Sequence, residues 1–389
     1  MRNLSADLND LKRQHRYRRR RVVDLAVGTD IVIDGSRISN FSSNDYLGLS
    51  QHPEVIRAMQ RGVEQYGAGS GAAHLITGHS KAHHLLEEEL AELTGYPRAL
   101  LFSTGYMANL GTITSLIGKG DAVFEDRLNH ASLIDGGLMS GARLQRYQHG
   151  DIDSLRNKLS SSKAQERLVI TDGVFSMDGD IAPLPELAKV TSQNDAWLMV
   201  DDAHGFGILG KRGAGSVAHF MLQDQVPIYM ATLGKAAGVF GAFVAGSEEL
   251  VETLIQRARS YIYTTAIPPA VAEALRASLK IIQNDNERRE QLHAHIKYFR
   301  SGASELGLQL LNSPTAIQPI LVGSNEATVE ISRRLFDAGF AVSAIRPPTV
   351  PEGSARLRIT LSANHSEEQI DKLLDALHQC CPTSEGSYA

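Results

Sequence analysis

Between about residue 100 and residue 232, short apolar runs alternate with stretches of helical character. The runs 99–102, 121–124, 168–171, 197–200 and 228–231 have the length of buried strands, and several end abruptly in Gly, Ser, Asp or His. Strands that alternate with helices predict a mostly parallel α/β sheet, whose ligands gather beyond the carboxyl ends of the strands. Ahead of this region Leu86, Leu90 and Leu93 recur at helical spacing. Beyond it the texture changes. Residues 270–306 read as helical and charged, and 317–322 and 356–361 as strands. Ser366 and Gln369 then open a last helix through a capping box, with Ile370, Leu373, Leu374, Leu377 and Cys381 as its apolar stripe. The predicted organisation is an N-terminal arm (1–45), a large α/β domain (46–284) and a smaller α+β C-terminal domain (285–389).

Composition narrows the function classes. The 389 residues are 42% hydrophobic and 21% charged, with a formal net charge of −5. That mild acidity gives no reason to expect nucleic acid as a partner. No apolar run approaches the roughly 20 residues that span a bilayer, so no membrane role is expected. The N-terminus lacks the apolar segment of a secretory signal. Its two cysteines, Cys380 and Cys381, are adjacent and suit neither a disulfide framework nor a metal site, which makes a cytoplasmic location the expectation. The basic run at 12–21 reads as a solvated helix face or an arm, with a role in attracting anionic substrate as the alternative.

Several chemistries are excluded by their missing motifs. Gly67, Gly69 and Gly71 form a glycine-rich stretch that follows no strand and lacks the dinucleotide fingerprint. There is no Walker A lysine and no H-E-x-x-H. His83 and Glu87 lie one helical turn apart, a lone pair that more often makes a surface contact, so no metal is expected.

Three local signals remain. Asp201 follows the apolar run 197–200, with His204 three residues on. Lys235 follows another strand within small neighbours, Gly234, Ala236, Ala237 and Gly238. Gly105 and Tyr106 follow the run 99–102 and open a helix near Met107, where amides and the helix dipole make an anion site. Each is weak alone, since a strand-end acid caps turns and a lysine is usually solvated. Together they form the set that pyridoxal phosphate (PLP) requires: a phosphate cradle, a carboxylate for the pyridine nitrogen and a lysine for the aldehyde.

At this point the motifs are recognisable. FSSNDYLGLS (41–50), TGYMANLG (104–111), NHASLIDG (129–136), DGVFSMDGD (172–180), VDDAHGFGILG (200–210), TLGKAAG (232–238), IYTTAIPPA (262–270) and AIRPPTVP (344–351) resemble the α-oxoamine synthases, fold-type I PLP-dependent transferases, from about residue 15 to residue 380. The resemblance implies a decarboxylative condensation of an amino acid with an acyl thioester. AIRPPTVP points to L-alanine and a pimeloyl thioester of coenzyme A or acyl carrier protein, in biotin synthesis. The alternatives are sister enzymes using glycine or serine, or a non-catalytic subunit on the same fold.

It implies the following roles. Lys235 carries the Schiff base and moves the Cα proton, and Asp201 pairs with the pyridinium nitrogen. His130 stacks on the ring, while His204 and Ser176 bond the phenolic oxygen. Gly105, Tyr106 and Thr232 hold the phosphate. Thr264 and Thr265 reach it from the second subunit of a homodimer. Asn44 and Arg346 receive the amino-acid carboxylate, Thr349 lies near the substrate, and Arg18 is the choice within the basic run for the acyl group. Two departures from the family pattern stand out: Ala236–Ala237 after the lysine, and His74 in the glycine-rich loop.

Overall fold

The computed structural model describes residues 2–381. The chain divides into two compact units, one formed by Leu49–Ser176 and Ile181–Asn286, the other by Met1–Gly48, Met177–Asp180 and Glu287–Ala389. The second unit therefore groups the N-terminal segment with the C-terminal part; the last eight residues, 382–389, lie outside the described residues.

The larger unit is built on a seven-stranded sheet: β1 (Arg98–Phe102), β2 (Ala122–Asp126), β3 (Arg143–Tyr147), β4 (Arg167–Asp172), β5 (Trp197–Asp201), β6 (Ile228–Thr232) and β7 (Ala242–Gly246). Their spatial order is β1-β7-β6-β5-β4-β2-β3, and all neighbours are parallel except β7, which is antiparallel to both β1 and β6. Central strands must bury both faces, which is why they read as continuous apolar runs. In β5, Leu198, Met199 and Val200 are fully buried. By contrast β3, an edge strand reading RLQRY, keeps its arginines exposed and carries no apolar run to announce it.

Three helices of this unit matter for the site. Helix α1 (Lys81–Thr94) ends at Gly95, whose φ of 78° is the left-handed conformation that stops a helix. Helix α2 (Gly105–Leu116) starts directly after β1, with the Thr104 hydroxyl accepting from Met107 N. Helix α3 (Ala131–Met139) starts after β2, with His130 at its N-cap. Ala108 and Ile113 of α2 and Leu133 of α3 join Leu168, Ile170, Met199 and Met230 in one apolar core. Burying each such leucine or isoleucine is worth about 1.5–3 kcal/mol.

The smaller unit holds two sheets. Strands Leu25–Val27, Asp30–Ile33 and Ser36–Asn40 are joined by a parallel pairing of Phe340 and Ala341 with Ser39 and Asn40, which ties the N-terminal segment to the C-terminal part. Ile317–Gly323, Ala355–Thr360 and Ser343–Ile345 form the other. Every residue of Ala355–Thr360 is buried, including Arg356, paired with Asp178, and Arg358, which donates to Asn44 Oδ1. The stretch expected to be helical over 270–306 is two helices, Pro269–Asn284 and Asn286–Glu305, broken at Asp285. The closing helix, Glu367–Cys380, has the expected capping box between Ser366 and Gln369.

Candidate active site

The carboxyl ends of β2, β4, β5 and β6 bring Asp126, Asp172, Asp201 and Thr232 to one edge of the large sheet. Asp201 is nearly fully buried. Its Oδ1 accepts from Ala203 N at 3.0 Å and its Oδ2 from Asn109 Nδ2 at 2.7 Å. Among the described residues it forms no ion pair, so a buried carboxylate waits on two neutral donors.

Asn109 extends this contact into a chain. Its second amide proton goes to Ser132 Oγ at 2.8 Å, and Ser132 Oγ stands 2.8 Å from His130 Nδ1. With Asn109 filling one acceptor site of that oxygen, the hydroxyl proton is free to go to Nδ1, which leaves the His130 proton on Nε2. His130 N donates to Asp172 Oδ2 at 2.7 Å. Burial and the charge of Lys235 hold the His130 pKa below its ordinary value, against the pull of Asp201 and Asp135. Burial, with the negative charge of Asp201 added, pushes the Asp172 carboxyl well up, while the His130 amide and Lys235 oppose the shift. Both Asp201 and Lys235 thus act on His130 and on Asp172, which gathers the four groups about one locus.

Lys235 lies in the turn after β6. Its Nζ is 2.8 Å from His204 Nε2, and His204 is itself buried. The tightness of this turn has a cause at Gly238, whose φ is +69°. A Cβ there would come within 2.5 Å of Ser50 N and 2.7 Å of Leu49 C.

The first amides of α2, at Gly105 and Tyr106, have no partner within the helix and carry its positive dipole end. A methyl group at Gly105 would stand 4.0 Å from Thr232 Cβ, so the helix start and the end of β6 converge on one anion-sized corner. Tyr106 is half exposed and donates its hydroxyl to Asp135. Ser176 is half-buried. Thr264 and Thr265 belong to another segment of the same unit, where Thr265 pairs with Ala73 through an isolated bridge.

The remaining expected residues are in the smaller unit. An Arg18 guanidinium nitrogen donates to Thr349 Oγ1 at 3.3 Å, and Thr349 N bonds Arg346 O at 3.1 Å. Burial first, and then the charge of Arg18, lower the Arg346 pKa. Arg18, Arg19, Arg20, Arg21 and Arg346 line a cavity of about 970 Å³ with Ile31, Ile33, Phe336 and Ile345 as apolar walls. Arg21 lies over the Phe336 ring at 3.6 Å. Asn44 Oδ1 accepts from Arg358 and from Tyr46.

Asn109, Ser132 and Asp172 were not singled out by the sequence. Asp172 obeys the same strand-end rule as Asp201 and could have been found by it. Asn109 and Ser132 lie within the stretches 104–111 and 129–136, but their value depends on α2 and α3 packing side by side, which no local pattern reveals.

Residues 36–377 match the family described as aminotransferase class I and II. An 8-amino-7-oxononanoate synthase from Methylococcus capsulatus is 61% identical over 376 residues, covering 96% of this chain and 97% of the relative. A solved serine palmitoyltransferase from S. paucimobilis, with a bound PLP–myriocin aldimine, superposes with a TM-score of 0.92 at 30% identity, covering 97% of this chain and 96% of that one. A solved 8-amino-7-oxononanoate synthase from Francisella tularensis gives 0.77 at 35% identity, covering 88% and 97%. The chain belongs to the class I and II aminotransferase family of fold-type I PLP enzymes and, within it, to the 8-amino-7-oxononanoate synthases. It is a PLP-dependent acyltransferase.

The residues present fit that cofactor. A pyridinium nitrogen would supply the positive charge that Asp201 lacks, the amides of α2 with Thr232 suit a phosphate, and Lys235 offers the amine.

Proposed function

We propose that the chain joins L-alanine to a pimeloyl thioester, releasing carbon dioxide and the free thiol and forming 8-amino-7-oxononanoate in biotin synthesis. The 61% identity to a relative of that name, over almost the whole length of both chains, carries this reading. When bound, PLP supplies an aldehyde for amines and a ring that accepts electrons from the amino-acid Cα.

The chain's own residues then divide the work. Lys235 would hold the cofactor through its amine, and that amine is the base for the Cα proton, a general-base step worth about 10²–10⁴-fold. His204, 2.8 Å from that amine, keeps it in place and, with Ser176, would bond the phenolic oxygen. The Asp201 carboxylate would keep a proton on the ring nitrogen, and Asn109, donating to Oδ2, fixes it for that task. His130, oriented through Ser132, would lie against the ring face. Gly105, Tyr106 and Thr232 take the phosphate, with Thr264 and Thr265 contributed from the partner subunit of a homodimer. Asn44 and Arg346 take the amino-acid carboxylate, Thr349 contacts the substrate, and Arg18 meets the acyl group. Acyl carrier protein or coenzyme A presents that acyl group, and the reaction takes place in the cytoplasm.

The high TM-score to a PLP-bound serine palmitoyltransferase supports the fold and the cofactor, whereas the choice of alanine rests on the 61% identity to the synthase named above. Thiol release by purified holoenzyme, with alanine, glycine or serine against pimeloyl and shorter thioesters, tests the reading. Alanine with the pimeloyl thioester is expected to give the highest kcat/KM; preference for glycine or serine would overturn it.

A further inference from the structure

The histidines of the segment 74–84 take no part in the chemistry above, yet they converge. His79 Nε2 stands 3.9 Å from Glu87 Oε2. His84, also on α1 and three residues before Glu87, brings a ring nitrogen to within 4.8 Å of both. His84 is otherwise an exposed side chain, 3.4 Å from Glu88 Oε1. We propose that His79, His84 and Glu87 form a binding site for a divalent transition-metal ion of the zinc type.

The geometry supports these three donors over the neighbouring triplet His74, His79 and His83. His83 is fully buried and both its nitrogens are committed: Nδ1 accepts from Ser80 N at 3.0 Å, and Nε2 bonds Ile267 O at 2.7 Å. Coordination through His83 would cost the start of α1. Glu87 is differently placed. Its Oε1 is fixed by the Leu101 amide at 2.9 Å, which leaves Oε2 aimed at His79. His79 in turn has its other nitrogen, Nδ1, 3.0 Å from His74 Nδ1, and the His74 ring is stacked on Tyr261 with centroids 5.0 Å apart. A histidine ligand's second nitrogen is ordinarily held by an outer-shell acceptor, and here the His74 imidazole takes that place.

With bonds of about 2.0–2.1 Å, donors of a tetrahedral ion stand roughly 3.3 Å apart. The present separations therefore close by small rotations of two side chains that are at least partly solvent-exposed. Two imidazoles and one carboxylate suit zinc, and water completes the set.

The ion would clamp the turn at 74–78 to the first two turns of α1. That turn continues a segment tied to 265–267, through Ala266 N donating to Ala72 O at 3.0 Å and the Ala73–Thr265 bridge. Metal binding would therefore stiffen the stretch that carries Thr264 and Thr265.

The test is calorimetric titration of zinc chloride alone into untagged, chelator-dialysed holoenzyme. One saturable site per chain is expected. His84→Ala, which alters only an exposed side chain, and His79→Ala should each weaken it by at least about tenfold. His74→Ala, which removes an outer-shell partner, should weaken it by about 10–100-fold. Absence of a stoichiometric site, or a site whose affinity survives both His79→Ala and His84→Ala, would overturn the proposal.

Discussion

Glu125, the fourth residue of β2, is fully buried, and among the described residues neither of its carboxylate oxygens has a hydrogen-bond partner. Burial pushes its pKa up from 4.5 to about 7; Arg146 opposes the shift and Asp135 adds to it. The linkage sign follows. Between those two values the folded chain holds a proton that the unfolded chain has lost, so stability falls as pH rises through the window. Its contribution is undiminished below the unfolded pKa and gone above the folded one. A displacement from 4.5 to about 7, at 1.36 kcal/mol per unit, amounts to about 3 kcal/mol. Glu125→Gln keeps the shape and removes the ionisation. Urea midpoints of wild type and variant, measured at about pH 5 and about pH 8, check this. Wild type is expected to lose about 2.5 kcal/mol more than the variant across that interval. Parallel profiles would refute the reasoning, because they would mean that the carboxyl reaches solvent or a partner when it ionises.

Asn109→Ala removes the charge-assisted bond to Asp201, worth about 1.5–3 kcal/mol. Apoenzyme carrying it should retain PLP about tenfold less tightly, the equivalent of 1.4 kcal/mol. Ser132→Ala spares the Asp201 contact and should leave cofactor affinity nearer wild type; equal losses in a fluorescence titration would contradict the chain of bonds drawn here. Gly238→Ala forces a methyl group to 2.5 Å from Ser50 N at a φ of +69°, and should cost about 2 kcal/mol or more, read as a lowered thermal midpoint. An unchanged midpoint would show that the turn carrying Lys235 has room to move.

Much of this was legible in the sequence because central parallel strands bury both faces. The runs before Asp201 and at the start of β6 could hardly read otherwise, and an ionisable residue just beyond such a run marks the ligand-binding edge. Strand β3 was hidden because an edge strand need not be apolar, and β7, whose apolar run is only AFVA between Gly241 and Gly246, gave too short a signal. The helix break at Asp285 left no proline or glycine as a marker. Of the proposed site, Lys235, His204 and Asp201 follow from strand ends, whereas Asn109 depends on how two helices pack. Within the four consecutive arginines, Arg18 donates to Thr349, a partner 331 residues away and beyond the reach of any local pattern.

Borohydride reduction of the holoenzyme followed by peptide mapping bears on the core of the account. A single phosphopyridoxyl label on Lys235, absent from Lys235→Ala, is the predicted result. Label on a different lysine, or a coloured holoenzyme that takes up no label, would contradict it.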